Sequence, residues 1–152
     1  MIKIKTILLP TDFSQASQEA ARYALELARK FQARLLLLNV IEDPVLFLPM
    51  LDSFPLPTNE QMETYTEERL ENFLSAEERG EVEVQLFWAH GRPFEEIVAF
   101  GARRKVDLIV MGTHGRGAAA HLILGSVAEN VVRKAKCPVL TVHPEGHQFV
   151  HP

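Results

Sequence analysis

Apolar residues along the chain switch repeatedly between short unbroken runs and spacings of three and four, the signature of strands exchanging with amphipathic helices. Residues 3–10 are apolar and β-branched at their centre (Ile4, Ile7, Leu8, Leu9) and predict a first strand. The Thr11-Asp12-Phe13-Ser14 stretch behind it carries the side-chain oxygens that open helices. From Gln15 to Phe31, the residues Ala16, Ala20, Tyr23, Ala24, Leu27, Ala28 and Phe31 recur on one stripe, predicting a helix with that side toward the core. Arg34 to Ile41 is a short continuous apolar run, as expected of a parallel strand covered on both faces.

Further along, residues 60–79 keep Met62, Tyr65, Leu70, Phe73 and Leu74 on a helical spacing with an acidic outer face. Residues 81–89 alternate charged with apolar groups, a half-buried strand, and Gly91-Arg92-Pro93 breaks it to open a helix over 94–105. A strand over 106–112, a helix over 127–136 and a strand over 138–142 complete the pattern. Five strands in α/β order predict one doubly wound domain with a parallel sheet over residues 1–143, followed by a short tail at 144–152. Residues 43–59 hold four of the nine prolines among large apolar side chains and predict a long Pro-rich loop. Such a loop either packs over the sheet or serves as a lid or oligomer contact.

With 152 residues, 47% hydrophobic and 24% charged, the chain is an ordinary soluble domain in composition, which excludes disordered and low-complexity classes. A net charge of −4 disfavours binding to nucleic-acid backbones. The distribution is uneven: residues 60–83 contain nine glutamates against Arg69 and Arg79, a local balance of −7. From Gly101 onward seven basic residues face three acidic ones, which points an anion search at the C-terminal third. No signal-type start, no apolar run of membrane length and a single cysteine, Cys137, lead to the expectation of a cytoplasmic protein away from membranes.

Candidate chemistry concentrates at two strand exits, where doubly wound sheets place ligands. One is Pro10-Thr11-Asp12 and the other is Met111-Gly112-Thr113-His114-Gly115-Arg116-Gly117. Three glycines in six residues let main-chain N–H groups approach a phosphate. Gly125-Ser126-Val127 then opens a helix whose free N–H groups favour an anion, and Arg116 adds a fork for phosphate oxygens. Each position also has a plainer reading. Asp12 and Ser126 serve equally as helix caps, Arg116 as a solvated cation and Gly117 as a loop residue, while His114 faces either phosphate or water.

The spacing Gly112-x2-Gly115-x9-Gly125-Ser126, with Arg116 after the second glycine, resembles the nucleotide-binding signature of the universal stress protein family in its ATP-binding branch. The Pro10-Thr11-Asp12 exit, Val40 near the end of the second strand and Lys136-Cys137-Pro138-Val139-Leu140 agree with it across nearly the whole chain. The resemblance implies a Rossmann-like sheet, of the adenine nucleotide alpha hydrolase type, ordered 3-2-1-4-5, with adenine between the first and second strand ends. It also implies that Asp12 and the backbone at Val40 hold adenine and ribose, that Met111 and Gly112 line the ribose, and that Gly115, Arg116, Gly125, Ser126 and Val127 take the phosphates. The implied ligand is ATP, or ADP or AMP, with Mg²⁺ held through the phosphates. A homodimer joined along Pro138, Val139, Leu140, Thr141 and Val142 is implied as well, and those residues read as an apolar edge strand. One departure is Ala128, where many ATP-binding relatives carry a hydroxyl, which puts one phosphate or metal contact in doubt.

Other chemistries are weak. There is no Gly-x4-Gly-Lys-Ser/Thr loop and no Gly-x-Ser-x-Gly elbow, and Asp12 and His114 are the sole nearby bases. Cys137 reads as an inert, buried thiol, and Pro144 and Gly146 argue against metal capture by His143, His147 and His151. The leading expectation is therefore a nucleotide-dependent regulatory protein of the stress-response type. A slow ATPase or phosphotransfer enzyme and a dimeric interaction protein with a vestigial site are the alternatives.

Overall fold

The computed structural model describes residues 1–44, 55–113 and 124–144. Within these the chain runs β1 (Thr6–Pro10), α1 (Gln15–Phe31), β2 (Arg34–Ile41), α2 (Asn59–Phe73), α3 (Ala76–Arg79), β3 (Val84–His90), α4 (Pro93–Arg103), β4 (Leu108–Gly112), α5 (Ser126–Lys134) and β5 (Val139–Val142). The strands form one parallel sheet in the order β3-β2-β1-β4-β5, the order implied by the resemblance. The chain builds outward from β1 to β3, then crosses back and lays β4 on the other flank of β1. That reversal makes a topological switch point at the carboxyl ends of β1 and β4, the place where such sheets hold ligands.

Alternation along the strands divides the core in two. Ile7, Leu9, Leu35, Leu37 and Val110 face α1 and α2, whereas Leu8, Leu36, Leu38, Ile109 and Met111 face α4 and α5. Both faces of β2 are covered, which is why it reads as an unbroken apolar run. β3 lies at an edge and has no fully buried residue. Its alternation is softened, because Phe87 and Ala89 pack on one side while Val84, Leu86 and Trp88 pack on the other.

The structure corrects three expectations in detail. The buried side of α1 consists of Ala16, Ser17, Ala20, Ala21, Ala24, Leu25 and Ala28, while Tyr23 and Phe31 are exposed. Small side chains win the buried stripe because the helix lies close over the sheet. The acidic helix is also two helices: Leu74 turns extended, and Ser75 starts α3 with a reciprocal capping box to Glu78. Finally, β1 begins at Thr6, because the Lys5 and Thr6 amides donate to Asp107 Oδ2 at 2.8 and 2.9 Å.

Of the predicted Pro-rich loop, residues 45–54 lie outside the described residues, and α2 starts at Asn59 behind a Thr58–Gln61 capping box. Most of the tail, including His147 and His151, also lies outside them. Among the described residues no helix is long and apolar enough to cross a membrane.

Candidate functional site

Each helix runs antiparallel to the strand it follows, so the amino ends of α1 and α5 stand over the carboxyl edge of the sheet. The carboxyl ends of α4 and α5 point the other way. Arg103 closes α4, followed by Arg104 and Lys105, and Arg133 and Lys134 occupy the last turn of α5. These cations complement the carbonyl ends of their helices, and Arg104 also lies over Phe87 and Phe100, at 4.6 and 5.4 Å. Arg103, Arg104, Lys105, Arg133 and Lys134 thus lie at the opposite edge from Gly112 and Gly125, so these charges of the C-terminal third do not face the strand exits, and Arg116 lies outside the described residues.

At the carboxyl end of β1 the turn into α1 is densely bonded. The Thr11 amide donates to Leu38 O at 2.8 Å, and Thr11 O accepts from the buried Asn39 Nδ2 at 2.8 Å. Thr11 Oγ1 accepts from the Phe13 amide at 2.9 Å and bonds to Ser17 Oγ at 3.0 Å. Asp12 Oδ1 accepts from the Ser14 amide at 3.0 Å, an Asx turn, and Ser14 itself caps the helix by accepting from the Ser17 amide at 3.3 Å. The cap is thus Ser14, and Asp12 shapes the turn ahead of it. Phe13 has φ 64°, a left-handed conformation that costs a residue with a side chain about 1–2 kcal/mol. Its ring is held edge-on by Phe73 at 5.9 Å and lies under the Arg69 guanidinium at 4.4 Å.

Gly112 ends β4 against α1. A Cβ there would come within 2.9 Å of the Ala16 carbonyl carbon and oxygen, so only glycine permits this approach. Met111 contributes its side chain to the core. Thr113 is buried. Its amide donates to Val142 O at 3.0 Å, its carbonyl accepts from the Gly125 amide at 2.5 Å, and its hydroxyl lies 3.2 Å from His143 Nδ1. The two ends of the connection between β4 and α5 therefore meet. The predicted contacts Gly115 and Arg116, with His114 and Gly117, belong to that connection and lie outside the described residues.

Gly125 is the N-cap of α5, with φ −63° and ψ 155° and no side-chain cap, and the first internal bond runs from the Glu129 amide to Gly125 O at 2.9 Å. Ser126 is the first helical residue rather than the cap, and it is exposed beside half-buried Val127. Ala128 packs in the second core cluster, where a hydroxyl would have to be buried. Pro10, Thr11, Asp12, Met111, Gly112, Gly125, Ser126 and Val127 all lie at this one edge. Val40 stands one strand over, half-buried and paired with Ala89.

The sequence reading missed Ser17, Asn39, Thr113 and the Phe13–Arg69 contact. Asn39 had a visible signal: an amide inside an otherwise apolar buried strand must find a partner. At the opposite edge, Cys137 lies in a cavity of about 270 Å³ with Val98, Val106 and Ile109. Burial, then the charge of Asp107, push its thiol above the ordinary range. Among the described residues no group of three His, Cys, Asp or Glu side chains is placed to hold a metal.

A doubly wound parallel sheet whose switch point gathers two helix amino ends and a glycine at the strand exit defines a Rossmann-like α/β protein. Within that class the chain belongs to the universal stress protein family, whose pattern matches residues 3–143. It is 38% identical over 139 residues to the universal stress protein MJ0531 of Methanocaldococcus jannaschii, covering 91% of this chain and 81% of that one. The solved structure of MJ0577, a universal stress protein of the same organism, superposes with a TM-score of 0.72 at 30% identity, covering 95% of this chain and 99% of the other. A universal stress protein crystallised in complex with cAMP gives a TM-score of 0.67 at 25% identity, covering 94% and 99%.

Proposed function

We propose that this protein binds an adenine nucleotide at the carboxyl edge of its sheet and that occupancy is its regulatory output. The observation that carries the reading is the start of α5. It begins at the switch point with Gly125 as an N-cap that offers no side-chain acceptor, so a phosphate is the acceptor that position suits. The family relative in complex with cAMP supports an adenine nucleotide as the ligand class. In this reading Pro10, Thr11 and Asp12 with the Val40 backbone flank the base and ribose, Met111 and Gly112 offer main chain to the ribose, and Gly125, Ser126 and Val127 take phosphate. Gly115 and Arg116 join them by sequence. The ligand is ATP, or ADP or AMP, with Mg²⁺ riding on the phosphates.

The same reading treats residues 1–143 as the working domain of a cytoplasmic protein. It also treats β5 as a homodimer edge: the strand closes one side of the sheet, and Leu140 on it is exposed. Titration calorimetry with ATP and Mg²⁺ tests the site. Gly125→Val, which the local φ and ψ accommodate, is expected to weaken binding about tenfold, roughly 1.4 kcal/mol. Unchanged affinity in Gly125→Val would remove the phosphate assignment.

A further inference from the structure

Phe13 is an unusual residue to find in a left-handed turn. Glycine, asparagine and aspartate are the types that adopt this conformation cheaply, and a bulky aromatic does so only when its surroundings hold it there. Its own backbone bonds do part of this: the Phe13 amide donates to Thr11 Oγ1 at 2.9 Å, and the Ser14 amide that follows donates to Asp12 Oδ1 at 3.0 Å. The rest comes from α2, an element far away in sequence. The Arg69 guanidinium lies 4.4 Å above the Phe13 ring, and Phe73, one helical turn later, meets the ring edge-on at 5.9 Å. Arg69 is in turn fixed by its own helix, donating to Tyr65 Oη at 2.9 Å with the Tyr65 ring at 5.5 Å.

We propose that Arg69 is a positioning residue for the nucleotide site: by clamping the Phe13 ring it holds the Asp12–Phe13 turn in its strained conformation, and so links α2 to occupancy of that site. The proposal rests on the nucleotide reading above, but the clamp is a property of the ligand-free protein. α2 suits this role because it is docked lightly. Within it only Thr66 and Leu70 are buried, Phe73 packs half-buried against the core, and polar contacts of Glu67 with Trp88 Nε1 at 3.0 Å and of Glu63 with His90 Nε2 at 2.8 Å add to these. A helix with two buried residues shifts at lower cost than α1, which is buried along a full side. Trp88, the single tryptophan, stands at the α2 contact and reports on it.

The test compares wild type with Arg69→Ala, Arg69→Lys and Phe13→Gly. Amide exchange in the absence of nucleotide is expected to rise about tenfold at Phe13 and Ser14 in Arg69→Ala, while core amides such as Leu8 and Leu36 keep their protection. Arg69→Lys, which keeps a cation over the ring, recovers most of that protection. Phe13→Gly removes the ring while making the left-handed backbone easy, so the fold survives and loosening of the turn is read separately from any strain. ATP affinity is expected to fall three- to tenfold in Arg69→Ala, and ATP is expected to change Trp88 emission in wild type but not in that variant.

Unaltered exchange at Phe13 and Ser14 in Arg69→Ala overturns the clamp. Raised exchange with wild-type ATP affinity overturns the positioning role. A wild-type protein that binds no adenine nucleotide removes the functional reading, and the ligand-free exchange contrast still decides for or against the clamp.

Discussion

Two helices begin at the same edge of the sheet, and their first turns are built in opposite ways. The start of α1 is closed by its own residues: Ser14 caps it, Asp12 turns into it, and Thr11 and Ser17 bond to each other beneath it. The start of α5 has Gly125 as its cap and, among the described residues, no side-chain cap. Every helix has orphan amides at this end, and water or a ligand must serve where the sequence supplies no acceptor. The comparison teaches that one end closes on its own side chains while the other, like the start of α4 behind Arg92, has no side-chain cap of its own, although both read as site segments in the sequence.

The largest expected effect attacks the contact that brings the two ends to one place. Gly112→Val drives side-chain atoms into the Ala16 backbone and should cost about 3 kcal/mol, lowering the melting temperature by roughly 6–12 °C. A melting temperature within a degree of wild type would mean that β4 and α1 do not meet as described. Next comes Gly125→Asp, which gives α5 the cap it lacks. Stability should rise by about 0.3 kcal/mol while ATP affinity falls about tenfold, because a carboxylate now occupies the place of phosphate. If calorimetry shows affinity and stability rising together, the contrast between the two helix starts is broken.

Ser14→Ala is the mirror experiment. It should cost about 1 kcal/mol in urea denaturation and lower ATP affinity less than Arg69→Ala does, since the lost hydroxyl caps α1 while the Ser14 amide keeps its bond to Asp12. The smallest effect is expected at the far edge. With its thiol pushed upward by burial and by Asp107, Cys137 should alkylate more slowly than a free thiol at pH 8. Its rate should climb only as pH passes the ordinary thiol range, and ATP should not alter it. Protection by ATP would place the ligand at the wrong end of the sheet.

Most of the fold was legible because burial on both faces writes itself into strands. Leu35–Leu38 had no other reading, and the strand order followed from the family resemblance. What escaped depended on contacts distant in sequence. The stripe of α1 was misassigned at Tyr23 and Phe31, since spacing cannot tell which neighbouring turn comes closest to the sheet. The positive charge of the C-terminal third looked like a binding surface because summed charge carries no direction, whereas the antiparallel run of α4 and α5 sends Arg103, Arg104, Lys105, Arg133 and Lys134 to the opposite edge. Gly112 was read as open backbone for a ligand, yet the structure first requires it for the fit of β4 against Ala16. Phe13 carried no signal at all, because left-handed backbone in an aromatic residue is produced by its surroundings.

The carboxylate of Asp107 joins the Lys5 and Thr6 amides across 102 and 101 residues of chain. Of the five strands of this sheet, β1 is therefore the earliest in sequence and the one whose flank is completed late. At synthesis rates of about 5–20 residues per second, β1 waits roughly 5–20 seconds for β4 and its anchoring aspartate. During that interval an apolar strand has one open side, the condition that favours association with other chains.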